Sequence, residues 1–284
     1  MFNKPMQQVV GVAAGSIATL RVPAEAFTLV GLKLNLNFVK SLIDRVRIKV
    51  GSRVIWDLTY AQINAINNYK NEADNTKVLY LNFVERDQAI FPVKEVGGFD
   101  LMALLPLGEV YFEFYINAAA ASPTIDAIGY FEGAQGNPAV LKFQPFSFST
   151  NAAGKFTLPL NMRGAVMKRI WLFYSGTAWT GTTNGNVNRL EIKKNGLVFF
   201  DQTDLGNRFD QANFKKVPQA GLYVADFIID NNHDAHITTM RRISNGNAAG
   251  ALIYDTFEFN AYIADAGGAQ VTAIAEVLDA ATNL

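Results

Sequence analysis

Apolar side chains in this chain fall in short runs, often at every second position, and the runs are separated by Gly, Asn, Asp and Pro. In Leu32-Lys33-Leu34-Asn35-Leu36-Asn37-Phe38 the alternation is strict, which is the pattern of a strand with one buried face. The same reading predicts strands over residues 17–22, 27–38, 46–50, 54–58, 78–84, 110–116 and 125–131. Gly51-Ser52, between Arg47-Ile48-Lys49-Val50 and Arg53-Val54-Ile55-Trp56, predicts a two-residue hairpin turn with Gly at its first central position. One segment follows another period. Residues 60–73 set Ile63, Ile66 and Tyr69 at helical spacing among Asn, Gln and Lys, with Thr59 placed to cap a helix.

The second half repeats this order. Ala13-Ala14-Gly15 returns as Ala152-Ala153-Gly154, and the hairpin returns as 190–194 and 197–200 around Asn195-Gly196, a type I′ turn signal. Asp57 and Asp201 close the two hairpins, and a polar segment with helical potential, 205–214, follows the second as 60–73 follows the first. Leu79-Tyr80-Leu81 finds a counterpart in Leu222-Tyr223-Val224, and Phe112-Glu113-Phe114 in Phe257-Glu258-Phe259. The spacing between counterparts drifts only from 139 to 146 residues, as in a duplicated domain with loop insertions. Units of this size exceed solenoid repeats and are large enough for cores of their own. The expected organisation is two domains, 1–138 and 139–284, joined around 133–145. About eight strands and one helix in each suit a β-sandwich, and the jelly roll is the common eight-stranded kind. The expected fold class is therefore all-β, two tandem jelly rolls with short inserted helices.

Composition adds one constraint and several exclusions. Only 18% of the 284 residues are charged while 50% are hydrophobic, so either the core is large or other chains cover part of the surface. The 25 basic side chains balance 25 acidic ones, which argues against direct nucleic-acid binding, since phosphate recognition needs a basic surface. With no cysteine, disulfide scaffolds, thiolate zinc sites and cysteine nucleophiles drop out. Residues 9–20 imitate a signal peptide, but Gly11, Gly15 and Ser16 dilute the run and Arg21 interrupts it before the small residues. No apolar run reaches the length of a membrane-spanning helix.

With the repeat in view, the sequence resembles the double jelly-roll major capsid proteins of tailless icosahedral viruses, and above all the major coat protein of the corticoviruses. In the first half the resemblance rests on Val12-Ala13-Ala14-Gly15, Val46-Arg47-Ile48-Lys49-Val50, the Asn-rich helix, Phe83-Val84-Glu85-Arg86 and the alanine run 118–121 leading to Ala127-Ile128. In the second it rests on Met167-Lys168-Arg169-Ile170 and the Asn195-Gly196 hairpin. It implies a virion capsid protein made in the host cytoplasm, with a homotrimeric, pseudo-hexameric capsomer tiling the shell. It also implies neighbouring capsomers, a vertex penton and often an internal viral membrane as partners, and no cofactor.

Candidate chemistry is sparse. His233 and His236, three residues apart beside Asp230 and Asp234, have no third well-spaced ligand and read as a loop rather than a metal site. Glu113 and Glu258 stand between phenylalanines at matching places in the repeat, on a face turned away from the core rather than across a catalytic cleft. No nucleophile elbow or phosphate-binding loop occurs. The basic pairs Lys168-Arg169, Lys215-Lys216 and Arg241-Arg242 read as solvated strand ends or loops that could meet a head group or a neighbour's carboxylate. Trp56 and Trp171 fall in strands and are expected in the core, whereas Trp179, in the Gly- and Thr-rich stretch 177–188, marks a loop suited to an outward tower or a contact. No catalytic, cofactor-binding or metal residues are assigned. A carbohydrate-binding or carbohydrate-processing double sandwich, a lectin or a glycan amidase, is the alternative.

Overall fold

A computed structural model describes residues 1–86, 96–136, 139–160, 165–230, 237–242 and 252–281. The first repeat contributes β1 (Phe2–Pro5), β2 (Ile17–Val22), β3 (Phe27–Leu36), β4 (Ile43–Val50), β5 (Arg53–Thr59), β6 (Val78–Asn82), β7 (Phe99–Asp100), β8 (Val110–Ile116) and β9 (Ile125–Gly133). The second contributes β10 (Ala139–Thr150), β11 (Gly154–Leu158), β12 (Val166–Tyr174), β13 (Val187–Lys194), β14 (Leu197–Thr203) and β15 (Leu222–Asp226). It continues through β16 (Ile237–Thr238), β17 (Met240–Arg242), β18 (Leu252–Tyr254), β19 (Phe257–Ile263) and β20 (Ala269–Ala280).

In the first repeat one sheet runs β1-β9-β3-β6, with β7 also on β3, and the other runs β2-β8-β4-β5. In the second the orders are β10-β20-β12-β15, with β16 on β12, and β11-β19-β13-β14. The two sets are identical once each strand is replaced by its counterpart. Both have the connectivity of an eight-stranded jelly roll, in which most connections cross between sheets. The β4–β5 and β13–β14 hairpins stay within one sheet. The chain divides into two compact units, Met1–Phe143 with Leu278–Leu284, and Gln144–Val277.

From the hairpin to the strand after the inserted helix the counterparts keep a spacing of 144 residues, which widens to 147 by β8 and β19. Both hairpins carry a bulge at the same place, after Ile48 and after Ile192. Thr59 and Thr203 cap the helices Tyr60–Tyr69 and Asp204–Asn213, and Thr59 completes a capping box with Gln62. The Oδ1 of Asn82 accepts from the Val84 amide at 3.3 Å, as the Oδ1 of Asp226 accepts from Ile228 at 3.1 Å. The sequence alignment needs two corrections. Gly51 corresponds to Asn195, both with positive φ (58° and 52°), and not to Gly196. Phe112 corresponds to Phe259, because Phe112 stands opposite Ile48 and Phe259 opposite Ile192.

The first helix ends at Tyr69 instead of running to residue 73, because Asn71 takes a left-handed conformation, φ 56°, just past the C-cap. Its Ile63, Ile66 and Tyr69 are buried as the spacing predicts. The core of the first unit holds a cluster of aromatic rings among its aliphatic side chains. Trp56 lies edge-on to Phe83 (5.4 Å) and Phe143 (4.6 Å), and Phe83 continues the contact to Phe99 (4.8 Å). The second core is mainly aliphatic, with Ile170, Leu172, Leu190, Ile192, Val271 and Ala273 around Phe259. The run at 9–20 belongs to the fold, since Ala18 and Leu20 of β2 are fully buried. Among the described residues no helix is long and apolar enough to cross a membrane.

Candidate assembly surfaces

The outer face of the β2-β8-β4-β5 sheet is a ladder of matched charges. Side chains alternate across a strand, so the inward Val46, Ile48 and Val50 leave Arg45, Arg47 and Lys49 pointing out. Arg45 pairs with Asp57, Lys49 with Glu113 and Arg21 with Glu109. Arg47 sits 3.3 Å from Asp57 and 3.6 Å from Glu113, with its guanidinium 5.4 Å from the Tyr115 ring. The β11-β19-β13-β14 sheet repeats the design. Arg189 donates twice to Asp201 at 2.6 Å and lies 4.8 Å from the Tyr262 ring. Lys193 reaches Glu191 (3.4 Å) and Glu258 (3.6 Å), and Asn260 donates to both glutamates.

These partners explain the chemistry of the carboxylates. The hydrogen bonds from Arg189 hold Asp201 below its ordinary range, and the hydrogen bond from Asn260 lowers Glu258. A general acid at neutral pH needs the opposite shift. Glu113 and Glu258 do face away from the cores, yet they are not equivalent. Glu113 stands opposite Arg47, and the residue in that place in the second repeat is Asn260, opposite Glu191.

Trp179 does not project. Its ring is half-buried, Nε1 donates to the Gln219 carbonyl at 2.9 Å, and the Arg208 guanidinium covers one face at 4.1 Å. Arg208 also donates to the carbonyls of Thr180 (3.1 Å) and Thr183 (2.7 Å), and its Nε lies 3.2 Å from Asp204. Asp204 accepts from the Gly185 amide at 2.9 Å, while Asn184 accepts from the Leu205 amide at 2.7 Å. The loop is thus tied to the start of the helix Asp204–Asn213. Burial raises the Asp204 carboxyl and pushes the neighbouring Tyr174 hydroxyl up to about 12.

The reading of Lys168-Arg169 as a solvated pair is overturned. Both are buried, and Arg169 is 0% exposed. It lies 2.9 Å from Asp226 and donates to Glu276 at 2.9 Å, Trp171 Nε1 donates to the other Glu276 oxygen at 3.0 Å, and Lys168 stands 3.9 Å from Glu276. A cation enters a β-sheet interior only with such counter-charges. Lys215 and Lys216 divide, the first exposed with φ 60° and the second buried. Arg241 and Arg242 lie in β17, paired with Ile253 and Leu252 of β18. Trp56 and Trp171 are buried as expected, and Trp56 donates to the Leu141 carbonyl at 2.7 Å. His233, His236 and Asp234 lie outside the described residues. Among the described residues no three side chains gather as metal ligands. The matched ladders escaped the sequence reading because strand register alone brings their members together, and the Arg208 clamp because it joins a helix to a loop 25 to 29 residues earlier.

The family model of the viral coat protein P2 N-terminal domain matches residues 3–132, and that of the P2 C-terminal domain matches 140–281. No curated protein sequence is significantly similar to the chain. Solved structures do share its fold. The major capsid protein P2 of bacteriophage PM2 is 16% identical with a TM-score of 0.74, over 97% of both chains. A chain of the atomic structure of Sulfolobus Turreted Icosahedral Virus is 10% identical with a TM-score of 0.65, over 98% of this chain and 90% of that one. The PBCV-1 virus capsid is 12% identical with a TM-score of 0.59, over 98% and 92%. The fold is the double jelly roll of capsid proteins. Since the two domain matches follow one another along almost the whole sequence, each on one jelly roll, the chain belongs to the viral coat protein P2 family and is a component of the virion capsid.

Proposed function

We propose that the chain is the major capsid protein of a tailless icosahedral bacteriophage and that it acts as a homotrimeric capsomer of pseudo-hexagonal outline. In this reading 1–138 and 139–284 are its two jelly-roll domains. It works by shape and self-association, without catalytic, cofactor or metal residues. Its partners are its own copies, neighbouring capsomers, a vertex penton and an internal viral membrane. The observation that carries the proposal is the repetition of one jelly-roll sheet order in both halves of a coat-protein family chain. Two similar wedges per chain supply six per trimer, so closed threefold symmetry can fill a sixfold lattice position. The neutralised outer ladders fit a tile that packs beside copies of itself, because they present little unpaired charge.

Native mass measurement tests it. Three copies of 31.2 kDa make a closed particle of about 94 kDa, and electron images of it should have hexagonal outlines. A monomer at every concentration, with affinity for glycans, would overturn the proposal in favour of a carbohydrate-binding protein.

A further inference from the structure

The two inserted helices bury opposite kinds of face. In Tyr60–Tyr69 the buried positions are Ile63, Ile66 and Tyr69, the usual inward apolar stripe. In Asp204–Asn213 they are Asp204, Asn207, Arg208 and Gln211, spaced i, i+3, i+4, i+7 and all polar. The second unit's own backbone takes up these groups. Asn207 and Gln211 both donate to the Val224 carbonyl (2.7 and 3.1 Å), Arg208 donates to Thr180 and Thr183, and Asp204 accepts from Gly185. The helix is therefore fastened by its polar side. Leu205 (40% exposed) and Phe209 (68%), one turn apart, face outward, with Phe214 (45%) and Val217 (41%) just beyond the helix end.

An aromatic side chain covers roughly 150–250 Å², so the two phenylalanines leave on the order of 200 Å² open, and Leu205 and Val217 bring the summed apolar exposure to about 300–400 Å². That is too little for a whole interface, which takes about 800 Å² per partner, but it is the size of an interface's apolar centre. The chemistry around it selects the occupant. A helix lying on a lipid surface carries Lys and Arg along its polar face beside the apolar one. Here that polar face is turned inward and its one cation, Arg208, is engaged beneath the helix. The flanks carry both signs, Asp210 and Lys215, which suits a mixed-charge protein surface better than an anionic membrane.

We propose that Leu205, Phe209, Phe214 and Val217 form the apolar centre of a contact with a second copy of this chain. The inference rests on the capsid reading and deepens it by placing one self-contact on the second jelly roll only. The equivalent positions of the first helix, Ala61 and Ala65, offer no such bulk. In a closed trimer the contact is heterologous, so the patch meets a different surface of its neighbour.

The test uses the full chain as wild type, Phe209→Asp, Leu205→Gln and Phe209→Leu, read by native mass across a dilution series, by thermal unfolding and by flotation with phosphatidylcholine–phosphatidylglycerol vesicles. Phe209→Asp and Leu205→Gln should weaken assembly at least tenfold while the single chain unfolds as the wild type does, because the sites are already exposed in it. Phe209→Leu should assemble normally. Wild-type assembly by both polar variants overturns the inference and leaves the capsid reading standing. A wild type that never assembles overturns the capsid reading and this contact with it. Unchanged assembly together with vesicle binding that Phe209→Asp abolishes assigns the patch to lipid and also overturns the proposal.

Discussion

Asn67 donates from Nδ2 to the carbonyl of Tyr80 at 2.9 Å, and the pair is reproduced 144 residues later by Gln211 and Val224 at 3.1 Å. In each repeat this bond ties the inserted helix to the strand that follows it. The two differ in one respect, since Val224 also accepts from Asn207 at 2.7 Å. Asn67→Ala should therefore cost about 1–2 kcal/mol by depriving the Tyr80 carbonyl of its helix donor. Gln211→Ala should cost well under half as much. Equilibrium denaturation of the two variants decides the point, and equal losses would mean that the bonds do not stabilise as drawn.

The strands were largely legible. Residues 17–22 and 110–116 carry an alternation that a single buried face requires, and their ends coincide with β2 and β8. Register was not legible, because it depends on partners far along the chain. Matching Phe-Glu-Phe by eye set Phe112 against Phe257, two residues out, and only the ladder to Ile48 and Ile192 corrects it. Lys168-Arg169 looked like a surface pair because Asp226 and Glu276, which neutralise it, stand 57 and 107 residues beyond Arg169. The reversed helix could have been found by counting the period of its polar residues, 204, 207, 208 and 211, as readily as that of apolar ones.

Removing Arg169 should be the most damaging single truncation. Asp226 and Glu276 would remain buried as carboxylates without their guanidinium, a situation that costs about 3–5 kcal/mol. Arg169→Ala should thus fold poorly or unfold at a much lower denaturant midpoint. Glu276→Gln, which keeps an acceptor for Trp171 Nε1, should be milder. A near-normal midpoint for Arg169→Ala would show that the buried cluster contributes little.

The corresponding hairpin turns should respond unequally to alanine. At Gly51, φ 58°, a Cβ would lie 2.2 Å from the Leu107 carbonyl oxygen, so the backbone must move. At Gly196, φ 82°, a Cβ meets nothing within 4 Å, and the cost is the left-handed strain alone, about 1–2 kcal/mol. Gly51→Ala should lower the melting temperature clearly more than Gly196→Ala. Similar losses would argue that the first hairpin yields easily at its tip.

Acid should loosen the outer ladders in a definite window. In the folded protein Asp201 is held below its ordinary value of 3.8 by the hydrogen bonds from Arg189. A carboxylate depressed in this way binds its proton more readily when unfolded, so it stabilises the fold above the unfolded value and that stabilisation is lost as pH falls through the folded one. The pair is exposed enough for salt to screen it. Asp201→Asn removes the titrating group, so the difference in melting temperature between wild type and variant should be present at pH 7 and shrink as pH falls from 4 to 2. It should also narrow at pH 7 in high salt. A difference that stays constant from pH 7 to pH 2 would mean that Asp201 acts through packing and not through its charge.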